Sequence, residues 1–207
     1  MKKAIIVDLD NTIYLVSSIG DRLFKTLFQL ITESEDYKGD WEQIKSEIMR
    51  TPFQKVAEAF SFGEKLKAEG IKLLEEIEYN DTIEPVESYN FIRELHCIKF
   101  LVTTGFSKMQ NSKIRQLGLE KDFDKIFVID PGLTTLTKKD IFEKILDDND
   151  YKANDVLVVG DDINSEIKAA RELGIDSVVY DFNLEHTENK ELNRITNFKE
   201  LVSYIQI

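Results

Sequence analysis

Cysteine occurs once, at Cys97, so no disulfide can form within the chain, which suits a reducing compartment. Three prolines and nine glycines are too few, and too scattered, for a flexible linker. No apolar run approaches the ~20 residues of a membrane span. Lys2 and Lys3 before "AIIV" faintly resemble a signal peptide, but Asp8 ends the run too soon. Positive charge is also scarce: 27 Lys and Arg against 39 Asp and Glu give a formal charge of -12 and a pI near 4.7. That field repels a nucleic-acid backbone. It leaves room for a small anionic substrate only where a local cation, such as a metal ion, offsets it. The expectation is a cytoplasmic protein that binds neither nucleic acid nor membrane.

What is present is a core. Hydrophobic residues are 42% of 207, enough for one good-sized domain or a core domain carrying an insert. Residues 4–7 are short, β-branched and apolar on both faces, as a buried parallel strand requires. Similar runs lie at 97–103, 125–129, 155–160 and 176–180. Between them the apolar spacing is helical. Ile114 and Leu117 precede Gly118; Ile141, Ile145 and Leu146 follow a plausible cap at Thr137; Ile167, Ala170 and Leu173 precede Gly174. Phe198, Leu201, Val202 and Ile205 mark a last helix. Strands alternating with helices predict an α/β fold, a Rossmann-like parallel sheet covered on both faces.

Residues 15–82 break the rhythm. Their apolar positions are helical throughout: Leu23, Leu27, Leu30 and Ile31; Trp41, Ile44 and Ile48; Val56, Ala59 and Phe60; Leu66, Leu73, Leu74 and Ile77. They predict an α-helical insert at 15–82 in a catalytic core made of 1–14 and 83–207.

Ligands of open α/β sheets bind outside the carboxyl ends of the strands. The first strand ends in Asp8 and Asp10, the second in Thr103, Thr104 and Gly105, the fourth in Gly160, Asp161 and Asp162. Lys138 opens the helix after the third. Carboxylates packed on one rim repel unless a cation joins them, and Mg²⁺ prefers oxygen ligands shared with substrate phosphate. One carboxylate can then attack phosphorus while a neighbour moves the leaving-group proton. Each residue also has an ordinary use: Asp8 and Asp10 as turn acids, Asp161 and Asp162 as helix caps, Lys138 as a solvated helix start. His96 and His186 lie away from this rim, and no ligand role is expected of them. Cys97 is expected to be core.

In order and spacing these segments resemble the haloacid dehalogenase-like (HAD) superfamily of phosphatases. "DLDNT" matches its first motif; "FLVTTG", "TKKDIFEKIL" and "VVGDDINSEIKAA" resemble the other three. The resemblance implies Asp8 as nucleophile and metal ligand. It implies Asp10 as general acid/base, with its backbone carbonyl on the metal. Thr103 and Lys138 would bind the transferring phosphoryl group, and Asp161 would be a metal ligand. Residues 15–82 would be a helical cap over the site. Thr12, Thr104 and Gly105 complete the expected substrate contacts, with Tyr14, the best placed of several cap-side aromatics (Trp41, Phe53, Phe60, Phe62). The chain departs from the pattern at three points. Glu166 stands where Asp is usual, and is expected to reach the metal through water with Asp162 taking up the load. Thr104 stands where Asn is common. The Lys-Pro pair is absent, which makes Lys139 a minor rival to Lys138.

The implied activity is Mg²⁺-dependent hydrolysis of a small phosphorylated metabolite, by a monomer or homodimer. "DNTIY" and "TTGFSKMQNSKIRQLGL" resemble the pyrimidine-directed nucleotide 5′-monophosphatases. Phosphoglycolate or sugar-phosphate hydrolysis and a phosphosugar mutase are the alternatives. A module that binds a phosphorylated ligand without turnover is the reading from another class. Asp10 argues against a dehalogenase, which needs no acid for its leaving group.

Overall fold

The five apolar runs form strands in the computed structural model, which describes residues 1–205. They are β1 (Ala4–Val7), β2 (Ile98–Thr104), β3 (Lys125–Ile129), β4 (Val156–Gly160) and β5 (Asp176–Tyr180). A two-residue strand, β6 (Arg194–Ile195), pairs with β5 and was not legible as a strand. Cys97 lies just before β2, half-buried rather than in the core. All pairings are parallel, in the order β3-β2-β1-β4-β5-β6. The chain steps one way from β1 and the other way from β4, so a ligand crevice belongs at the carboxyl ends of these two strands. Val7 sits opposite both Leu101 and Val159. The Asp8 amide extends the ladder by donating to the Val159 carbonyl at 3.0 Å.

Between β1 and β2 lie α1 (Gly20–Leu23), α2 (Lys25–Ser34), α3 (Trp41–Ile48), α4 (Phe53–Ala59) and α5 (Glu64–Glu76). Leu23, Leu27 and Ile31 recur every fourth residue and are buried. Asp40 caps α3, its carboxylate accepting from the Gln43 amide at 3.0 Å. In α4 the inward residues are Phe53, Val56 and Ala57; Ala59, counted among the helically spaced apolar positions, is exposed. A Cβ on Gly70 would overlap the Phe53 ring, so glycine here makes room for that ring between α4 and α5. The chain rejoins the sheet with the Val86 amide donating to the Ile13 carbonyl at 2.8 Å.

The remaining helices are α6 (Asn90–Glu94), α7 (Ser107–Leu117), α8 (Lys138–Asp148), α9 (Glu166–Glu172) and α10 (Val202–Ile205). Gly118 and Gly174, both at φ +68°, terminate α7 and α9 in the left-handed conformation. The last helix expected from sequence begins instead as a 3₁₀ turn, Phe198–Leu201, and Val202 points to solvent. Side chains alternate across β1. Ala4 and Ile6 join Phe100, Val102, Val156 and Val158 against Ile141, Phe142 and Ile145 of α8 and Ala169 and Ala170 of α9. Ile5 and Val7 face the other way, with Leu101, Leu157 and Val159, in a core shared with α7 and with Leu27, Ile44, Leu66 and Leu74 of the helical insert. Burying one such side chain contributes about 1.5–3 kcal/mol. No helix among the described residues is long and apolar enough to cross a membrane.

Candidate active site

Asp8 follows β1 and keeps the alternation of Ala4 and Ile6, which directs it to the face carrying α8 and α9. Both helices meet it there. Thr137 caps α8 in a reciprocal box with Asp140, which fixes Lys138 as the first helical residue. The Lys138 ammonium donates to Asp8 Oδ1 at 2.5 Å and to Glu166 Oε2 at 2.6 Å. Glu166 opens α9 and is 1% exposed. Its other oxygen, Oε1, accepts from the Asp162 amide at 2.7 Å. Its carboxyl occupies the space where a Cβ on residue 160 would lie, so Gly160 is what admits it. One carboxylate oxygen each from Asp8, Asp161 and Glu166 lies within 4.8 Å of the others.

Glu166 and Asp162 are placed differently from what the sequence suggested. Glu166 stands in the acidic group itself, whereas the Asp162 carboxylate accepts from the Asn164 amide at 2.8 Å and serves the turn. Lys139 pairs with Glu172 at 3.3 Å on the outer face of α8 and is no rival to Lys138. Burial pushes Asp8 up to about 7; Lys138 opposes that shift and the Glu166 charge adds to it. Asp161 is raised as well, by burial and then by Asp8 and Glu166. Burial alone would lower Lys138, but the Asp8 and Glu166 charges outweigh it and raise the ammonium above its usual range. Three carboxylates against one ammonium leave a surplus of negative charge and an all-oxygen donor set. That is the chemistry a hard divalent cation such as Mg²⁺ fits.

Asp10 is held differently. Lys113 donates to its two oxygens at 2.6 and 2.9 Å, Gln110 Nε2 donates to Oδ2 at 2.8 Å, and the Tyr14 hydroxyl donates to Oδ1. Burial would raise Asp10, yet the Lys113 charge and these bonds hold it below the usual carboxylate range. Tyr14 is pushed well above the ordinary phenol range by burial and then by the Asp10 charge. Gln110 also donates to Thr103 Oγ1 at 2.6 Å.

A cavity of about 190 Å³ opens on this rim. Asp8, Asp10, Thr103, Thr104, Gly105, Lys138, Asp161, Asp162 and Glu166 line it from the sheet side. Phe24, Ile48, Met49, Arg50, Phe53 and Leu74 line it from the insert. Two expected substrate contacts lie elsewhere. Tyr14 is fully buried beneath Asp10, and Thr12 is fully buried with its hydroxyl donating to Asp161 Oδ1 at 3.4 Å. Of the cap aromatics named above, Phe53 alone is among the lining residues; Phe62 is core, and Trp41 and Phe60 are half-buried. His186 is nearer the rim than expected, half-buried in a hollow that Asp161 and Asn11 also line. Arg50 reaches across to Glu185 at 2.7 Å.

Sequence reasoning missed Lys113, Gln110 and Arg50. A signal existed for the first two: a lysine and a glutamine fall on the same stripe of α7 as the buried Ile114 and Leu117.

The family model of the haloacid dehalogenase-like hydrolases matches residues 2–174. No curated protein matches the chain. Among solved structures, the chain is similar to the HAD-hydrolase YfnB of Bacillus subtilis, bound to magnesium (19% identity, 100% of this chain and 99% of that one, TM-score 0.68). It is also similar to a protein of Lactobacillus plantarum described as a phosphoglycolate phosphatase (12%, 98% and 99%, TM-score 0.74). A third is CbbY of Rhodobacter sphaeroides in complex with xylulose-(1,5)bisphosphate (17%, 97% and 96%, TM-score 0.65). At these identities the likeness establishes a shared fold.

Proposed function

Since the chain belongs to the haloacid dehalogenase-like hydrolases, we propose that it is a Mg²⁺-dependent phosphomonoesterase acting through a phosphorylated Asp8. The observation that carries this reading is the division of labour at the end of β1. Asp8 lies beside Lys138 in the acidic group, and Asp10, two residues on, has its own separate set of donors. In the first step an Asp8 oxygen attacks the substrate phosphorus, the bond to the leaving oxygen breaks, and Asp10, having taken up a proton from solvent against the pull of Lys113, passes it to that oxygen. In the second, Asp10 takes a proton from water as that water attacks the Asp8-bound phosphoryl group. Phosphate leaves and the Asp8 carboxylate is restored. Lys138 and the Thr103 hydroxyl bind the phosphoryl oxygens and offset charge in the transition state. Asp8, Asp161 and Glu166, with the Asp10 carbonyl, would hold Mg²⁺, which when bound neutralises phosphoryl charge. The helices at 15–82 act as a cap that excludes water from the reacting atoms.

The cavity admits a small leaving group, and its insert wall sets apolar side chains beside Arg50, Thr51 and Gln54. Nucleoside 5′-monophosphates, phosphoglycolate and sugar phosphates are therefore the panel to test. The last two are the chemistry named for the similar Lactobacillus and Rhodobacter proteins. Phosphate release is measured with and without Mg²⁺, beside Asp8→Asn. Metal-dependent release reduced at least about 10³-fold by Asp8→Asn is expected. Release that survives Asp8→Asn would remove Asp8 as the nucleophile, and binding of a panel member without release would favour a binding module.

A further inference from the structure

Asp10 has more partners than a proton-transferring carboxylate needs. Lys113 and Gln110 stand one turn apart on α7, are 3% and 1% exposed, and both end on this single side chain. A lysine on the inner stripe of a core helix adds little to stability that an apolar side chain would not add as well. Its position therefore calls for another explanation. Gln110 supplies one. Its neighbours include the Asp10 carboxylate at 2.8 Å and the Thr104 carbonyl at 3.4 Å, which only accept, so the amide nitrogen faces them. The same nitrogen donates to Thr103 Oγ1 at 2.6 Å. Two N–H groups thus tie the carboxylate on the β1 side to the hydroxyl at the end of β2. Lys113 grips the carboxylate at both oxygens, and the Tyr14 hydroxyl closes it from the core side.

We infer that Lys113 and Gln110 are positioning residues for Asp10: they fix where its carboxylate points and hold it in register with Thr103. The inference rests on the phosphomonoesterase reading, in which Asp10 must meet first the leaving oxygen and then the attacking water. Small misplacements of such a group are expensive in rate. Neither residue needs to touch substrate for this role, and both act through Asp10.

The test is a kinetic cycle on the best substrate of the panel with saturating Mg²⁺, using Lys113→Met, Lys113→Arg, Gln110→Met, Asp10→Asn and the double variant Lys113→Met with Asp10→Asn. Circular dichroism and thermal melting accompany each protein. Lys113→Met is expected to lower kcat about 10²-fold with KM within about threefold of wild type. Lys113→Arg should recover part of that loss. Gln110→Met leaves the lysine in place and should lower kcat about 10-fold, so the test holds even if Lys113→Met fails to fold. In the Asp10→Asn background, Lys113→Met should change kcat less than about twofold. A raised KM at unchanged kcat would make Lys113 a substrate-binding residue and overturn the inference. So would a loss as large in the Asp10→Asn background as in wild type. Full activity of Asp8→Asn would instead remove the phosphomonoesterase reading, and the inference with it.

Discussion

The two faces of the sheet treat the end of β1 in opposite ways. On the face of α8 and α9, Asp8 sits in a crowd of like charge: its side chain is 8% exposed, the Glu166 side chain 2%, and one lysine serves both. On the face of α7, the Asp10 side chain is 27% exposed, has a lysine and a phenol to itself, and shares the Gln110 amide with Thr103. Burial and a nearby carboxylate raise Asp8, while paired donors lower Asp10. Two aspartates of identical chemistry, one residue between them, thus meet opposite electrostatics on the two faces. One flank has a charge deficit that a cation would fill. The other is satisfied by the protein alone.

Removing the lysine of each flank breaks the comparison most directly. Lys138→Met leaves Asp8 and Glu166 buried together without a counter-charge, and is expected to cost about 3–5 kcal/mol in metal-free buffer. Mg²⁺ should restore much of that, since a ligand bound to the folded state stabilises it by mass action. Lys113→Met should cost less, because Asp10 can be rehydrated, and Mg²⁺ should restore little of it. Urea unfolding in chelator and in Mg²⁺ checks both; equal losses and equal recovery would erase the distinction between the flanks.

Glu166→Gln tests the acidic flank at constant shape. The Mg²⁺ concentration for half-maximal phosphate release is expected to rise about 10–100-fold, with calorimetric Mg²⁺ titration showing the same weakening. An unchanged titration would return the ligand role to Asp162.

The smallest effect belongs to the support of the other flank. Asp130, after β3, accepts from the Ser107 amide at 2.6 Å and the Gly132 amide at 2.9 Å, and so holds the first turn of α7. Burial would raise its carboxyl, but the Ser107 and Gly132 amides hold it below the usual range. A carboxyl depressed in the folded state adds stability above its unfolded pKa, and that stability is lost as pH falls through the folded value. Asp130→Asn is therefore expected to cost about 1–2 kcal/mol at pH 7, and to flatten the fall in stability below about pH 4. Thermal melts of both proteins from pH 7 to pH 3 measure this; parallel curves would count against it.

Local pattern carried much of this structure. The strands were legible because each is a short apolar run rich in β-branched residues, with β1 and β4 buried throughout, and α7 and α9 because glycine ends them in a left-handed turn. β6 was not, since Arg194 and Ile195 carry no periodicity of their own and are strand only by pairing with β5. Asp8, Thr103, Lys138 and Asp161 were legible as strand ends and a helix start. Glu166 looked like either a helix acid or a ligand, and what seats its carboxyl in the acidic group is space left by Gly160. Tyr14 looked like a substrate contact because it follows the first motif, but its ring is packed in the core and only its hydroxyl reaches Asp10.

Local sequence was enough to say which residues end the central strands, and hence that carboxylates, a hydroxyl and a lysine share one rim. That is short-range information: apolar runs and their terminators lie within a few residues of each other. Which face each aspartate meets depends on the folded sheet. Asp8 inherits the two-residue alternation of β1. Asp10 lies beyond the last ladder bond, with Asn11 turning the chain at φ 56°, and is free of that alternation. Its side chain goes where donors stand, and those donors, Gln110 and Lys113, come from a helix 100 residues further along the chain. No local signal records a contact of that range, because packing of the whole sheet is what brings its two ends together.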